Sequence, residues 1–532
     1  MKPIAVFALA LIAATSAHAA VTISNAKTKH MRCAGGVCTP TGGNANLNVS
    51  ELQSMLTASD VTVKSSASAP SLGVLDPLTW ASTHHLTLDA YQSIHVRAPI
   101  VIEGTSGLTL TTNDGGTGGN DIFEDGGYAN FWDLASSLVI NGQNYVLVGD
   151  IKTLAGDIQE KAAGHYALAA GYDASPDGVY SAAPIQKPLT GTFTGLGNTI
   201  SHFTLSGVRP GIQRGLFAEI AAQGSVRNLM LTGASVSGEI GVRSVTGTLA
   251  ATNSGYIYNV SAGGSASGPA TVGGLAGINN GKIESSDADV AVTAFRIRRA
   301  RRQEAFAGGL VGTNSGSLVD CHAKGSVILN EPIPGKAEIG GLAGENQQSG
   351  TIALSSASGS VSGVVEVGGL VGENIGSITQ SFASSNVTSL FARGGTSIGG
   401  LIGVSQSASA VSDSYSTGGV TKGRDAHGYA GGLLGAGAGT FTTSYATGKV
   451  SGKHRLGGFA GAVSNTLNAA YWDISTSGWS RGVGWGPVPD GLTGLTDDQL
   501  KSGLPAGFDP NLWGQNPSIN NGWPYLLANP PQ

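Results

Sequence analysis

The residues that could do chemistry fall into a few small groups. The densest is a basic run, Arg296-Ile297-Arg298-Arg299-Ala300-Arg301-Arg302. Such a cluster fits anionic glycans or an anionic cell surface, or marks a processing site; charge runs are also commonly just solvated. Carboxylates are scattered by comparison. Glycoside hydrolysis needs two of them flanking a cleft. Asp287 and Asp289 stand two apart, the spacing that shares one strand face, while Glu345 and Glu373 hold matching places in a repeat. Matching places point to a solvated column rather than to one catalytic pair.

Cys33 and Cys38 bracket Ala-Gly-Gly-Val, a tight loop able to close as a disulfide in an oxidising compartment. A zinc site fits less well, because no second Cys or His pair follows at useful spacing. Cys321 stands alone and reads as a small residue buried in a strand. His84-His85 has no carboxylate or cysteine at ligand spacing and reads as an ordinary strand pair. The run from Asp114 to Asp121 hints at a calcium-binding glycine repeat, but it occurs once and its aspartate falls a residue late, so a Gly-rich loop is expected. Trp472, Trp479, Trp485, Trp513 and Trp523 gather near the C-terminus, where packing of a terminal cap is favoured over a sugar-stacking platform.

The elements that must carry these residues are announced by a repeat. Gly273-Gly274-Leu275-Ala276-Gly277 returns as Gly308-Gly309-Leu310-Val311-Gly312, Gly340-Gly341-Leu342-Ala343-Gly344 and Gly368-Gly369-Leu370-Val371-Gly372. It continues at Gly399-Gly400-Leu401, Gly431-Gly432-Leu433 and Gly457-Gly458-Phe459, with starts 26 to 35 residues apart. Each phrase is followed by a Gly-x-Ile or Gly-x-Leu step, a Ser-rich stretch and a short β-branched step. Short alternating segments between glycine corners fit strands rather than helices, and a fixed period of this length means a stacked solenoid. One coil cannot bury its Leu, Val and Ile alone; stacked on a neighbour about 4.8 Å away it forms a continuous apolar interior. Asn279, Asn314, Asn346 and Asn374 recur at one place and predict an internal ladder.

The N-terminal third is less regular. Leu86-Thr87-Leu88, Ile94-His95-Val96, Ile100-Val101-Ile102 and Leu108-Thr109-Leu110 read as strands, with Leu86 to Leu108 forming one coil. A capping-box pattern at Ser50-Glu51-Leu52-Gln53 predicts a short helix over 50–57, and a second is expected over 151–163.

Composition agrees: 83 of 532 residues are glycine, 40% are apolar and only 12% charged. That is enough apolar surface to bury, which separates the chain from a disordered linker. A net charge of −5 excludes a general nucleic-acid binder. Lys2, the apolar stretch 4–14 and Ala17-His18-Ala19 read as a secretory signal peptide ending at residue 19. No later apolar run is long enough to span a bilayer.

These phrases resemble the GLUG repeat, named for its Gly-Leu-hydrophobic-Gly core and found in secreted bacterial proteins of the filamentous-haemagglutinin-like adhesin type. Thr190-Gly191-Thr192-Phe193-Thr194-Gly195 is similar to the segment that leads into such repeats, and Tyr471-Trp472-Asp473 with Gly494-Leu495-Thr496 to the one that ends them. The resemblance implies placement outside the cell and adhesion. The whole reading is therefore an all-β, right-handed parallel β-helix with short capping helices. Its segments are a signal peptide over 1–19, an N-terminal cap and irregular coils over 20–135, a transition over 136–205, repeats over 206–470 and a C-terminal cap over 471–532. The expected role is an exported binding scaffold that meets a glycan or cell-surface ligand by multivalent contact, with no cofactor, no nucleic acid and no membrane span. A carbohydrate-active β-helix enzyme and a structural envelope protein are the competing roles. Arg296, Arg298, Arg299, Arg301 and Arg302 are the candidate contact residues for an anionic ligand.

Overall fold

The computed structural model describes residues 20–207, 213–238, 243–297, 303–329, 331, 333, 335–389, 395–423, 428–464 and 467–531. The signal-peptide segment 1–19 and Arg298, Arg299, Arg301 and Arg302 of the basic run lie outside them. Two compact units divide at Leu147/Val148. Each is a parallel β-solenoid.

In the N-terminal unit the coils stack in register. Val61–Lys64, His85–Asp89, Gly107–Thr111 and Ser137–Ile140 pair parallel along one wall, with Leu86 opposite Leu108 as the 22-residue coil requires. Two further walls are built from strands around Ile94–Val96 and Ile100–Ile102. Helix α1 (Val49–Leu56) lies among these strands, burying Val49, Leu52 and Leu56. Its N-cap is Asn48, whose side chain accepts the Ser50 and Glu51 N–H groups; Ser50 does not cap it, as the sequence pattern had suggested. Asn and Ser are comparable caps, so the flanking backbone decides between them.

The C-terminal unit opens with α2 (Ile151–Glu160), capped by Asp150 and ending three residues before the expected 163; its apolar face, Ile151, Leu154 and Ile158, is buried. Beyond it the coils have three walls. A leading sheet of nine strands runs from Gln213–Arg214 to Leu456–Gly457. A trailing sheet of ten runs from Phe217–Ile220 to Val483–Trp485. A long sheet, with strands such as Lys282–Ala294, closes each coil.

The Gly-Gly-Leu phrase is the corner between leading and trailing strands. Leu275 donates its N–H to the Leu310 carbonyl, Leu310 to Leu342, Leu342 to Leu370 and Leu370 to Leu401, each at 2.8–2.9 Å, and all five side chains are buried. The glycines answer to close approach, not to positive φ. A Cβ on Gly369 would lie 1.9 Å from the Gly400 carbonyl oxygen, and one on Gly344 would lie 2.6 Å from the Ala307 nitrogen.

The predicted asparagine column is present and longer than expected. Asn253, Asn279, Asn314, Asn346 and Asn374 are fully buried, and each Nδ2 donates to the Oδ1 of the next at 2.7–2.8 Å. The same Nδ2 groups also donate to backbone carbonyls of their own and the adjacent coil at 3.2–3.4 Å, as the ladder requires. A second buried column was not foreseen: Ser286, Ser355, Ser381, Ser414 and Ser444 each donate to the carbonyl two residues before. Cys321 holds the same place, its thiol 3.3 Å from the Val319 carbonyl. Burial pushes that thiol's pKa up, away from reactivity.

The C-terminal segment does more than close the end of the stack. Phe382, Tyr415 and Tyr445 stand above one another with ring centroids 4.9 Å apart, and Trp513 and Phe508 pack over them. The segment carries α4 (here the helix Asp497–Lys501, after a four-residue α3 at Ile474–Ser477) and runs back along the side of the coils. Trp513 donates to Asp413 at 3.2 Å, and the Asn529 amide reaches the carbonyls of Ser355 and Gln380.

Candidate functional site

Two features stand apart from the structural columns. The first is the outward face of the long sheet. Its second half alternates inward Val or Leu with outward small polar residues, the period-two pattern that buries one face and leaves the other in water. Parallel pairing aligns Ser206, Ser237, Ser267, Thr293, Ile328, Ser362, Thr388, Thr421 and Ser451 into one column across nine coils. Eight of the nine carry a hydroxyl. Two residues earlier along the strands, Thr204, Ser235, Ser265 and Ala291 form a parallel column. Hydroxyls therefore recur about 4.8 Å apart along the axis and about 6.6 Å apart across it.

The basic run leaves from the edge of this face. The strand that contributes Thr293 ends at Ala294, Arg296 is exposed, and the chain returns at Ala305. Gln303 closes the neck: its Oε1 accepts the Ile297 N–H, and its Nε2 donates to the carbonyls of Pro269 and Phe295. The rest of the run, 298–302, lies outside the described residues.

The second feature is a block of four glutamates on two adjacent coils. Glu338 pairs with Glu366 in the leading sheet, and Glu345 with Glu373 in the trailing sheet. The Gly-Gly-Leu corner folds each trailing strand back beside its leading strand, which brings the two pairs together. The expectation of a solvated column at Glu345 and Glu373 is thereby corrected: they are 8% and 3% exposed, and Glu338 is 0% exposed. One carboxylate oxygen each from Glu338, Glu366 and Glu373 lie within 4.8 Å of one another. Lys336 sits against them, touching Glu338, 2.5 Å from Glu373 and 3.8 Å from Glu345. Gln406 donates to the remaining Glu373 oxygen, and Gln347 to Glu345.

The electrostatics follow from burial. Desolvation, reinforced by the Glu373 carboxylate, pushes Glu338 up to about 10, so it is protonated at neutral pH. Desolvation and the charge of Glu373 bring Glu366 to about 7. Burial opposes ionisation of Glu373 too, but the neighbouring Glu338 carboxyl, Lys336 and Gln406 outweigh it and hold that carboxyl below its ordinary value. Glu338 Oε2 and Glu366 Oε2 are buried and receive no hydrogen bond.

The other candidates are placed as follows. Asp287 and Asp289 do share the outward face of one strand, in a shallow depression with Gly264 and Lys324. Cys33 and Cys38 face each other across the hairpin Met31–Ala34/Val37–Pro40 and are bonded. His84 and His85 do have a carboxylate nearby: Asp60, from the preceding coil, lies 3.3 Å from His84 Nδ1 and accepts the His85 N–H. Stacking supplied a neighbour that linear spacing could not reveal. The glycine-rich loop is pinned by Asn113, which exchanges hydrogen bonds with Gly119. Trp472 and Trp513 are buried in packing as expected, whereas Trp485 is 57% exposed beneath the Arg455 guanidinium. Among the described residues no helix is long and apolar enough to cross a membrane.

Comparison with known proteins adds little to this geometry. No protein-family model matches the chain. Halomucin of Haloquadratum walsbyi is 37% identical over 107 residues, 20% of this chain, and the match spans 1% of halomucin's own length. A crystal structure from Bacteroides ovatus, of a protein provisionally described as an immunoglobulin A1 protease, aligns over 73% of this chain and 92% of its own, with 17% identity and a TM-score of 0.35.

Proposed function

We propose that the chain is an exported, surface-exposed binding scaffold of the adhesin kind, which holds glycans through the hydroxyl-bearing face of its long sheet. The observation that supports this most is the column from Ser206 to Ser451, held in register by parallel pairing. A single hydroxyl contact with a sugar is worth about 0.5–1.5 kcal/mol net. A rigid row of them meets a repeating polysaccharide many times over, and successive contacts benefit from the effective concentration set by the first. Arg296 stands beside the same face, and the basic run it begins adds attraction for anionic polymers.

The role is proposed as non-enzymatic. Among the described residues the glutamate block is the group that favours the carbohydrate-active alternative, but one oxygen each of Glu338, Glu366 and Glu373 lies within 4.8 Å of the others. Retaining hydrolases hold their carboxyl groups about 5–5.5 Å apart and inverting ones farther, with a sugar between them. Glu338 is moreover sealed from solvent.

The test is a glycan array probed with the purified chain, beside a triple variant Ser362→Val, Thr388→Val, Thr421→Val and a variant with the five arginines of 296–302 changed to glutamine. Binding that falls at least about tenfold in the triple variant supports the face as the contact surface. Binding lost only in the arginine variant moves the site to the loop, and binding by neither variant nor parent sinks the adhesin reading in favour of a structural envelope role.

A further inference from the structure

We infer that the glutamate block is a calcium site that ties two coils together. Four carboxylates meet there with a single ammonium. Ionising all of them without further positive charge is prohibitive at a site where Glu338 has no exposed surface. The cation chemistry is set by the donors. Every candidate ligand is a carboxylate oxygen, the hard donor set that suits calcium or magnesium rather than zinc or copper. Coordination habit separates the first two: calcium accepts about six to eight oxygens in flexible geometry, whereas magnesium keeps several of its waters and seldom sits in an all-protein carboxylate cage. One oxygen each from Glu338, Glu366 and Glu373 lies within 4.8 Å of the others, close enough for one ion to reach all three.

A second observation, independent of acidic clustering, points the same way. Glu338 is completely buried, its side chain faces Glu366 and Glu373, and its Oε2 receives no hydrogen bond from any group. Buried carboxylate oxygens ordinarily have partners. Lys336 makes an ion contact with Oε1 but no hydrogen bond to it, and is itself 45% exposed, so its flexible stem can swing the ammonium into water as an ion enters. Glu338 belongs to one coil, and Glu366 and Glu373 to the next. The ion would therefore clamp neighbouring coils from outside the apolar interior.

The experiment is calorimetric titration of CaCl2, and separately MgCl2, into the chelator-treated full chain, with thermal denaturation alongside. Calcium is expected to bind with a Kd of about 10⁻⁴–10⁻³ M, the range of extracellular modules, and to raise the melting temperature; magnesium is expected to do neither. Glu338→Gln keeps the shape of the side chain while removing its ability to carry a charge. It should fold normally yet bind calcium at least about tenfold more weakly, as should Glu366→Gln. Lys336→Met removes the competing ammonium and should bind more tightly than the parent. Absence of calcium binding in both the parent and Lys336→Met would overturn the site, as would equal responses to the two ions or undiminished binding in the glutamine variants.

Discussion

Ten successive coils of the C-terminal unit place a residue in the left-handed region at the same bend. Leu196, Asn228, Asn259, Ser285, Asp320, Leu354, Gln380, Asp413, Thr443 and Ala469 have φ between 44° and 54°, and none is glycine. This conformation costs an ordinary L-residue about 1–2 kcal/mol, and asparagine tolerates it best. Leu354, partly exposed and with φ of 52°, is the clearest misfit. Leu354→Asn should therefore stabilise the chain by up to about 1 kcal/mol in urea denaturation; a loss of stability would show that the leucine's packing outweighs its strain. The bend was illegible in the sequence because only two of its ten residues are asparagine. Cys321 was legible as buried but not as a member of a serine column, since the column exists only once coils are stacked. Glu124 offers a residue-scale test in the N-terminal unit. His95 at 3.0 Å and Arg97 at 2.8 Å hold its carboxyl below the usual value of 4.5, against the opposing effect of burial. A depressed carboxylate stabilises the fold above its unfolded pKa, and that stability is lost as pH falls through the folded value. Glu124→Gln should thus be less stable than the parent at pH 7, with the gap closing by about pH 3.

At the scale of elements, the corner glycines decide whether a coil can close against its neighbour. The repeat made those corners plain in the sequence, but it left two reasons open, positive φ and close approach. The structure selects the second, because leading and trailing strands of adjacent coils nearly touch. A methyl group on Gly369 would meet the Gly400 carbonyl at 1.9 Å, and that oxygen belongs to backbone that cannot yield cheaply. Gly156 provides the contrast. It lies exposed inside α2, with nothing within 4 Å of where its Cβ would be. Gly156→Ala should stabilise by about 0.5–1 kcal/mol through helix propensity. Gly369→Ala should cost about 3 kcal/mol or more, the range of severe overpacking. The same substitution thus has opposite signs in two elements, and matched urea melts of the two variants read both. The glutamate block belongs to this scale as well. Glu345 and Glu373 were visible as a repeat pair, but Glu338 and Glu366 precede the corner, and only the folding back of the trailing strand turns two separate pairs into one cluster.

Across the C-terminal unit as a whole, each coil touches mainly its two neighbours, so stability should behave as a sum of nearest-neighbour terms. The final segment breaks that rule. Its Trp513 packs on Tyr415 and Tyr445 and bonds to Asp413, while Asn529 reaches carbonyls on two further coils. One strap thus couples coils from Ser355 to Tyr471. Its tryptophans were legible as cap material, but their lateral course was not: the aromatic column they cover is spread through the repeats as Phe382, Tyr415, Tyr445 and Tyr471, one residue per coil. Trp513→Ala removes the centre of that contact, at a cost of about 3–5 kcal/mol for a buried tryptophan. Because the strap reaches no described coil before Cys321 through these bonds, the loss should stay local. Hydrogen exchange followed by mass spectrometry should show faster exchange over 377–473 and unchanged exchange over 225–294. A uniform acceleration through both stretches would mean that the coils unfold as one cooperative body, and the nearest-neighbour account of this solenoid would fall with it.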